Sequence, residues 1–361
     1  MVLVGCLRQG LPLARDFGLN LGWLTDAAWA YVSDSVWEPI APPAHDRDTA
    51  ALRTPADALV ETLSTLARRQ REHRAHTVAR LTPVIASGLL PQDLHEMALY
   101  YRAKALRDIG ASADSRRDYQ YVADGSGRLA HNARRGLAQA ARLAGDFPTA
   151  LAAAQHLGWE GRHQRVLGDL YWIQGQPQRA AEAYLAGRLE AEQHAKSGEA
   201  AHNQALRALA VAFTDPHQAD DELDLAQQLL AGLALRATTA NAGIAALIRD
   251  AGDSTIDDRG RALRTELDAA GLTSTTPTLD IALAFHQAVL DDHDALAATI
   301  DRLRQQTRDG TYAYYTDIAH FMADLPLPEP SAARWIDGQD AVRDRWRALV
   351  TARRSHLHPA D

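Results

Sequence analysis

Cationic and amide side chains recur at helical spacing in three stretches of the chain. Positions i, i+3, i+7 and i+10 of a helix share one face. The three sets are Met97, Tyr100, Lys104 and Arg107; Asn132, Arg135, Gln139 and Arg142; and Arg162, Arg165, Asp169 and Trp172. Six of these twelve residues are cationic and one is anionic, although the net charge of the chain is −8. Because guanidinium groups fork onto carboxylates, and Asn and Tyr can hold backbone groups, the pattern predicts binding of an acidic or carboxylate-bearing peptide.

A second interpretation of the same residues stays open. The basic residues of this chain are almost all arginine, with Lys104 and Lys196 as the exceptions. In an arginine-biased chain, these side chains could form a solvated helix face, each placed independently of the others. Clustering in three successive stretches favours the peptide site, whereas composition favours the solvated face.

Motifs for catalysis and metal binding are incomplete. The sequence contains neither the Gly-x-x-x-x-Gly-Lys-Ser/Thr phosphate loop nor the Gly-x-Ser-x-Gly nucleophile elbow. His95-Glu96 begins like a zinc-protease signature, but position 99 is leucine where that signature needs a second histidine. The pairs His286/His293 and His356/His358 lack the third ligand that zinc requires. We therefore predict no catalytic residue, no metal site and no cofactor.

Two further charged segments receive a structural interpretation. A basic helix is predicted over 55–79, with its arginines at Arg68, Arg69, Arg71, Arg74 and Arg80, and Pro83 is expected to end this run. Glu72 and the lack of interleaved aromatic residues argue for a solvated helix face rather than a phosphate contact. Acidic residues between Asp215 and Asp224 are expected to complement a helix N-terminus. With the net negative charge, a nucleic-acid partner is not expected.

Cysteine content and hydropathy indicate the compartment. The single cysteine, Cys6, excludes an internal disulfide framework and fits a reducing environment. It follows Leu3-Val4-Gly5, which resembles a lipoprotein cleavage site, but only five residues precede it. No stretch approaches the roughly 20 apolar residues of a membrane span. A cytoplasmic protein without membrane association is expected.

Turn glycines and small residues indicate how the helices are arranged. Gly110, Gly145 and Gly175 lie 35 and 30 residues apart, each after an apolar-periodic stretch. Small residues at Ala103, Ala138 and Gly168 would let paired helices approach closely, where larger side chains would open voids. The chain is therefore expected to fold as helix hairpins.

Weaker helix signals continue toward the C-terminus. The predicted helices are 200–213, 219–233, 237–251, 257–270, 277–290, 294–306, 312–323 and 333–354. The last is expected to cap the array, with Arg343, Arg347 and Arg353 facing outward and Trp335, Trp346 and Leu349 buried. Tyr312, Tyr314, Tyr315 and Phe321 are expected to pack in the core rather than to anchor a partner.

The segment from Leu167 to Tyr184, LGDLYWIQGQPQRAAEAY, resembles the core of the tetratricopeptide repeat, a 34-residue helix–turn–helix unit. It has Leu-Gly-x-x-Tyr, a second glycine seven residues after the first, and Ala-x-x-x-Tyr; the leading tryptophan and closing proline of the family are missing. The resemblance covers about 93–190, and beyond that it concerns architecture only. It implies an all-α, right-handed α-solenoid in which the three sets of residues described above line a concave groove.

A looser resemblance is to the C-terminal helical sensor region of actinobacterial STAND-type signal-transduction NTPases. It is carried by Trp23, Trp29 and Trp37, the arginine-rich helix, and the Leu90–Leu94 entry into the repeats. In that family a phosphate-loop domain precedes the repeats. Because this chain lacks the nucleotide-binding half, neither NTPase nor DNA-binding activity is carried over.

These observations give a provisional organisation. The segments are a Trp-rich N-terminal piece (1–45), a linker and basic helix (46–91), three repeat-like units (92–192), divergent hairpins (193–325) and a capping helix with its tail (326–361). The expected function is a non-enzymatic scaffold that binds a protein or peptide. The alternatives are a stand-alone or truncated sensor module of a STAND-type regulator, and an enzyme whose site is assembled from dispersed polar residues. The oligomeric state is not predicted.

Overall fold

The structure, a computed structural model, describes Pro55, Leu59, residues 71–270, residue 272 and residues 274–357. These residues form an all-α protein, as predicted, and within them the sole β-type pairing is a bridge between Asp146 and Arg334. The helices are α1 (Arg71–Ala86), α2 (Gln92–Asp108), α3 (Ser112–Asp124), α4 (Ala130–Leu143), α5 (Phe147–Ala154), α6 (His163–Ile173), α7 (Pro177–Gln193), α8 (Ser197–Ala212), α9 (Pro216–Leu230), α10 (Arg236–Arg249), α11 (Ile256–Ala269), α12 (Thr276–Leu290), α13 (His293–Gln306), α14 (Tyr314–Met322) and α15 (Gln339–Leu357).

The chain divides into two compact units, residues 1–133 and 134–361. The predicted Trp-rich segment 1–45 and the arginines Arg68 and Arg69 lie outside the described residues. None of the described helices combines the length and the apolar composition needed to cross a bilayer.

The three turn glycines end helices as the sequence predicts. Gly110, Gly145 and Gly175 have φ angles of +84°, +76° and +70°, a region that costs glycine little because it has no Cβ. In each turn, the residue after the glycine donates its amide to the carbonyl oxygen five residues earlier, at 2.9 to 3.0 Å. This bond closes the helix in a Schellman motif and directs the chain into the next helix.

In the first unit, α2 packs between α1 and α3. Arg102 of α2 forms a bidentate pair with Asp118 of α3, at 2.6 and 2.7 Å. Ala103 is fully buried, and its carbonyl oxygen accepts a hydrogen bond from Ser115 Oγ at 2.8 Å.

The predicted end of the basic helix at Pro83 is wrong, because α1 continues through this residue to Ala86.

In the second unit, helices alternate between two rows. The first row contains α6, α8, α10 and α12, and the second row contains α7, α9, α11 and α13. Helix α7 packs against α6 and α8, and α9 packs against α8 and α10. Along the first row, α8 contacts α10 and α10 contacts α12. The helices of the first row thus lie next to one another from α8 to α12.

Close approach within a hairpin depends on Gly168, as the sequence predicts. A Cβ built on Gly168 would lie 2.5 Å from the Tyr184 ring, closer than real Cβ atoms come to other atoms. Tyr184 is fully buried, and its hydroxyl donates to Asp169 at 2.8 Å. The glycine thus makes room for the ring that fixes α7 against α6.

The last helix crosses the C-terminal ends of the four first-row helices and donates to their carbonyl oxygens. The bonds run from Trp346 to Ile173 (3.2 Å), from Arg345 to Gln174 (3.1 Å), from Arg353 to Ala212 and to Ile248 (2.8 Å), and from Arg354 to Ala288 (3.0 Å). The predicted outward position of Arg353 is wrong, since this residue is 4% exposed. The cost of burying the Arg353 guanidinium is offset by its hydrogen bonds to these carbonyl oxygens. The last carbonyls of a helix are available as acceptors because they have no partner within that helix.

Aromatic side chains of α6, α14 and α15 pack against one another and against Phe213. Trp172 lies 6.4 Å from Phe213, 5.7 Å from Tyr315 and 6.2 Å from Trp346 between ring centroids. Tyr314, Tyr315 and Phe321 are buried, as predicted for core residues. The segment before α15 also pairs with the turn after α4, where the Arg334 amide donates to Gly145 O at 2.8 Å.

Candidate functional site

Four of the predicted site residues lie in the first unit. Tyr100 is half-buried and packs edge-to-face on the rings of Tyr101 and Tyr119. Arg107 donates to the neighbouring Asp108 at 2.8 and 3.2 Å. Lys104 and Asn132 are half-buried. The first unit therefore places Arg107 against a carboxylate.

The other seven lie in the second unit: Arg135, Gln139, Arg142, Arg162, Arg165, Asp169 and Trp172. Arg135 and Gln139 are half-buried on α4. Trp172 is 5% exposed within the aromatic cluster, so a ligand on the first-row face could contact little of its ring.

Two of the predicted arginines converge on one carboxylate. Arg165 Nη1 donates to Oε2 of Glu199 at 2.9 Å, and Arg162 Nε lies 3.6 Å from the same oxygen. All three side chains are less than one-fifth exposed. Arg162 and Arg165 belong to the start of α6, whereas Glu199 lies in the first turn of α8. The network thus links adjacent first-row helices and keeps a net positive charge.

Glu199 is held from a second side. Asn203, one turn later on α8, donates to the Glu199 carbonyl oxygen at 3.0 Å and to Oε1 at 3.3 Å. Within the described part of the chain, Nε and Nη2 of Arg165 donate to no protein atom. Both Arg165 donors are thus available to a further acceptor.

Trp159 forms a platform next to this network. The Arg162 guanidinium lies 4.0 Å above the ring centroid of Trp159, and the His194 imidazole stacks 4.4 Å from it. Arg162 has φ +56°, a left-handed conformation, and its Nη1 donates to the Trp159 carbonyl oxygen at 2.8 Å. Cation–π contact and this hydrogen bond together fix the direction of the Arg162 side chain.

His202 extends the polar face toward α10. Its Nδ1 lies 3.1 Å from Thr238 Oγ1, and burial, followed by the charge of Arg165, lowers the pKa of His202 to about 3. The imidazole is therefore neutral at physiological pH. It adds a hydrogen-bonding group without adding charge.

A second polar cluster surrounds Arg142. Its Nη2 lies 3.6 Å from Asp169 Oδ2. Although burial acts to lower the pKa of Arg142, Asp169 and the nearby tyrosines raise it above its ordinary value. Arg142 Nε and the Tyr314 hydroxyl are buried without a hydrogen-bond partner among the described residues. This cluster is more enclosed than the Arg162–Arg165–Glu199 network and therefore less accessible to a peptide.

Within the described ranges, no three histidine, cysteine, aspartate or glutamate residues come together in a way that could hold a metal ion. Comparison of the chain with protein-family models, curated proteins and solved structures finds no match. The resemblances to tetratricopeptide repeats and to STAND-type sensor regions therefore stay predictions.

Four residues of the site were not predicted from the sequence: Glu199, Asn203, His202 and Trp159. A signal for the first two was present, because Glu199 lies 34 residues after Arg165, which is the length of one tetratricopeptide unit. Continuing the i, i+3, i+7 pattern into the next unit reaches Lys196, Glu199 and Asn203. The weaker motif in that unit concealed the equivalence. Trp159 gave no such signal, since it precedes α6.

Proposed function

We propose that this protein is a non-enzymatic helical-repeat scaffold that binds an acidic or carboxylate-bearing peptide on the first-row face of its second unit. The observation that carries the proposal is the convergence of Arg162 and Arg165 on the single carboxylate of Glu199. A partner carboxylate would take the unused donors of Arg165, while the contact with Trp159 keeps the Arg162 guanidinium oriented beside them.

The energetics favour a carboxylate over a neutral group. Hydrogen bonds to charged groups contribute roughly 1.5–3 kcal/mol, about twice the value for neutral pairs. The two arginines are largely sheltered from water, which strengthens their attraction for an anion. Glu199 competes with the ligand, because its carboxylate already offsets part of the positive charge of the same two arginines.

We also propose the type of helical repeat and the cellular compartment. The hairpin turns and the 34-residue offset between Arg165 and Glu199 support a right-handed α-solenoid of tetratricopeptide type. The single cysteine supports a cytoplasmic protein.

The test is fluorescence anisotropy of the full chain with a labelled hexaglutamate that has a free C-terminal carboxylate. Arg165→Gln should weaken binding roughly tenfold, because one charge-assisted contact is lost. Glu199→Gln should strengthen binding by about the same factor, because it removes the internal competitor.

The matched control is Arg261→Gln, which removes an arginine from the exposed pair with Asp258 on α11. Hexaglutamine amide serves as the uncharged probe. Circular dichroism checks that each variant is folded. Equal loss of binding in the Arg165 and Arg261 variants would mean non-specific charge attraction and would overturn the proposal, as would unchanged binding of Arg165→Gln.

A further inference from the structure

An open groove runs between α9 and α10 on the second unit, with a volume of about 530 Å³. Leucine side chains of α9, Leu223 and Leu230, form one wall, and Ala242 and Ala246 of α10 form the other. Gln227 and Thr239 are the uncharged polar residues of the lining. The volume lies within the range of about 300–1,000 Å³ that is common for ligand pockets.

Small side chains on α10 create this groove. Thr239, Ala242, Gly243 and Ala246 follow the spacing i, i+3, i+4, i+7 and therefore share one face. They are too short to fill the space toward the leucines of α9. The position of a Gly243 Cβ lies 3.5 Å from Leu263 of α11, so α11 also packs against α10 at this residue.

The α9 rim of the groove is acidic. Asp221 and Asp224 are exposed, and within the described ranges neither forms an ion pair. Asp224 shares a helix face with Gln227 and Ala231 of the lining, by its spacing of three and seven residues. The cation at this end, Arg249, is already bound to Asp220 at 2.7 Å and to Asp250 at 2.6 Å. An incoming cation would therefore meet uncompensated carboxylates.

We infer that this groove docks an amphipathic α-helix whose apolar stripe is flanked by lysine or arginine. An extended peptide would bring unpaired backbone groups to a lining with few polar partners, whereas a helix satisfies its backbone internally. Apolar side chains at i, i+3 or i+4, and i+7 match the length of the leucine wall, and basic neighbours match Asp221 and Asp224. This surface is separate from the proposed acidic-peptide site and selects the opposite charge.

Binding of a labelled model helix with leucines at every third or fourth position and lysines elsewhere tests the inference on the full chain. Ala246→Phe fills the groove and should weaken binding at least roughly tenfold. Asp224→Lys reverses the rim charge and should weaken it roughly fivefold, with the loss reduced at high salt. Because Asp224 is exposed, this variant keeps the test valid if the groove-filling variant fails to fold.

The control is Glu182→Lys, which makes the same charge change at an exposed position of α7. It should bind the model helix like the unmodified chain, and Arg165→Gln should do the same. Equal binding by Asp224→Lys and the unmodified chain would overturn the inference. So would sedimentation showing that the chain forms a dimer that Ala246→Phe abolishes, since the groove would then hold a second copy.

Discussion

Arg353 in the last helix donates a hydrogen bond to the carbonyl oxygen of Ile248, 105 residues earlier, at 2.8 Å. The same nitrogen lies 2.9 Å from the carbonyl oxygen of Arg249, and Nη2 donates to Ala212. Burial lowers the pKa of Arg353 to about 10, with partial compensation from Asp250, so the guanidinium keeps its charge at neutral pH. A cation at the C-terminal ends of α8 and α10 also complements their helix dipoles.

Arg353→Leu should lower the free energy of unfolding by about 2–4 kcal/mol, because three carbonyl groups lose a donor and two of these bonds are buried. Urea unfolding followed by tryptophan fluorescence measures the change. Arg343→Leu, on the same helix but paired with the exposed Asp340, is the control and should cost about 0.5 kcal/mol or less. Similar losses in the two variants would contradict the role assigned to Arg353.

Deleting residues 339–361 should destabilise the whole second unit. The deletion removes donors from the ends of α6, α8, α10 and α12 and uncovers Trp172 and Phe213. We expect a broad thermal transition by circular dichroism and binding of a hydrophobic dye. Deleting 356–361 retains Arg353 and Arg354 and should preserve a cooperative transition. If the longer deletion also melts cooperatively near the temperature of the intact chain, α15 acts only as a terminal cap.

Gly168→Ala should lower the free energy of unfolding by about 1–3 kcal/mol, because the new methyl group displaces the Tyr184 ring. Gly243→Ala is the matched helical control, since its Cβ would make ordinary contacts at 3.5 Å and the helix would gain roughly 0.5–1 kcal/mol in propensity. Denaturant midpoints compare the two. If Gly168→Ala does not lower the free energy of unfolding relative to Gly243→Ala, the packing of α6 on α7 is contradicted.

Stability should decrease when the pH falls below about 6.5, the ordinary pKa of histidine. The folded protein holds His202 with a pKa of about 3, so between these values the unfolded chain binds more protons. Each pH unit in this window costs up to about 1.4 kcal/mol for this one group. Burial also lowers the pKa of His286, so part of the slope persists without His202.

His202→Gln should therefore flatten the pH dependence between about pH 6.5 and pH 5, as measured by urea unfolding at several pH values. The control is His131→Gln, which removes an exposed histidine from α4. An unchanged slope in His202→Gln would mean that the imidazole is protonated as easily in the folded protein as in the unfolded chain.

The helices of the second unit were predictable because they depend on local patterns. The prediction 294–306 corresponds to α13 (His293–Gln306), and 277–290 corresponds to α12 (Thr276–Leu290). Apolar periodicity and turn residues act within one or two helical turns, so the sequence displays them directly. Asp215 caps α9 as expected, since its side chain accepts from the Gln218 amide at 2.9 Å. The other acidic residues of that set lie beyond the first turn of α9, so the prediction that they complement the helix N-terminus is wrong for them.

The position of α15 was not predictable in the same way. Its hydrogen bonds to the ends of the first-row helices join residues 66 to 173 positions apart, and the predicted helix 333–354 begins before the observed start at Gln339. Burial of Arg353 also opposes the general preference of arginine for the surface. The carbonyl groups that explain its burial become visible only when the ends of several helices are known together.

The candidate site was predictable in part. The spacing rule identified Arg162 and Arg165 but treated them as unpaired charges, because the rule describes one helix at a time. Glu199 belongs to the next first-row helix, and its effect depends on how closely α6 and α8 approach. Charge on a helix face therefore has to be counted across neighbouring helices.

The bonds from α15 to α6 span up to 173 residues. They can therefore form only after α15 has been synthesised. While the ribosome is still making the C-terminal region, the earlier helices can form, but the aromatic residues that α15 covers stay open to solvent. Such long sequence separations slow the search for native contacts. The nascent chain is thus expected to need shielding by chaperones until its last helix has emerged.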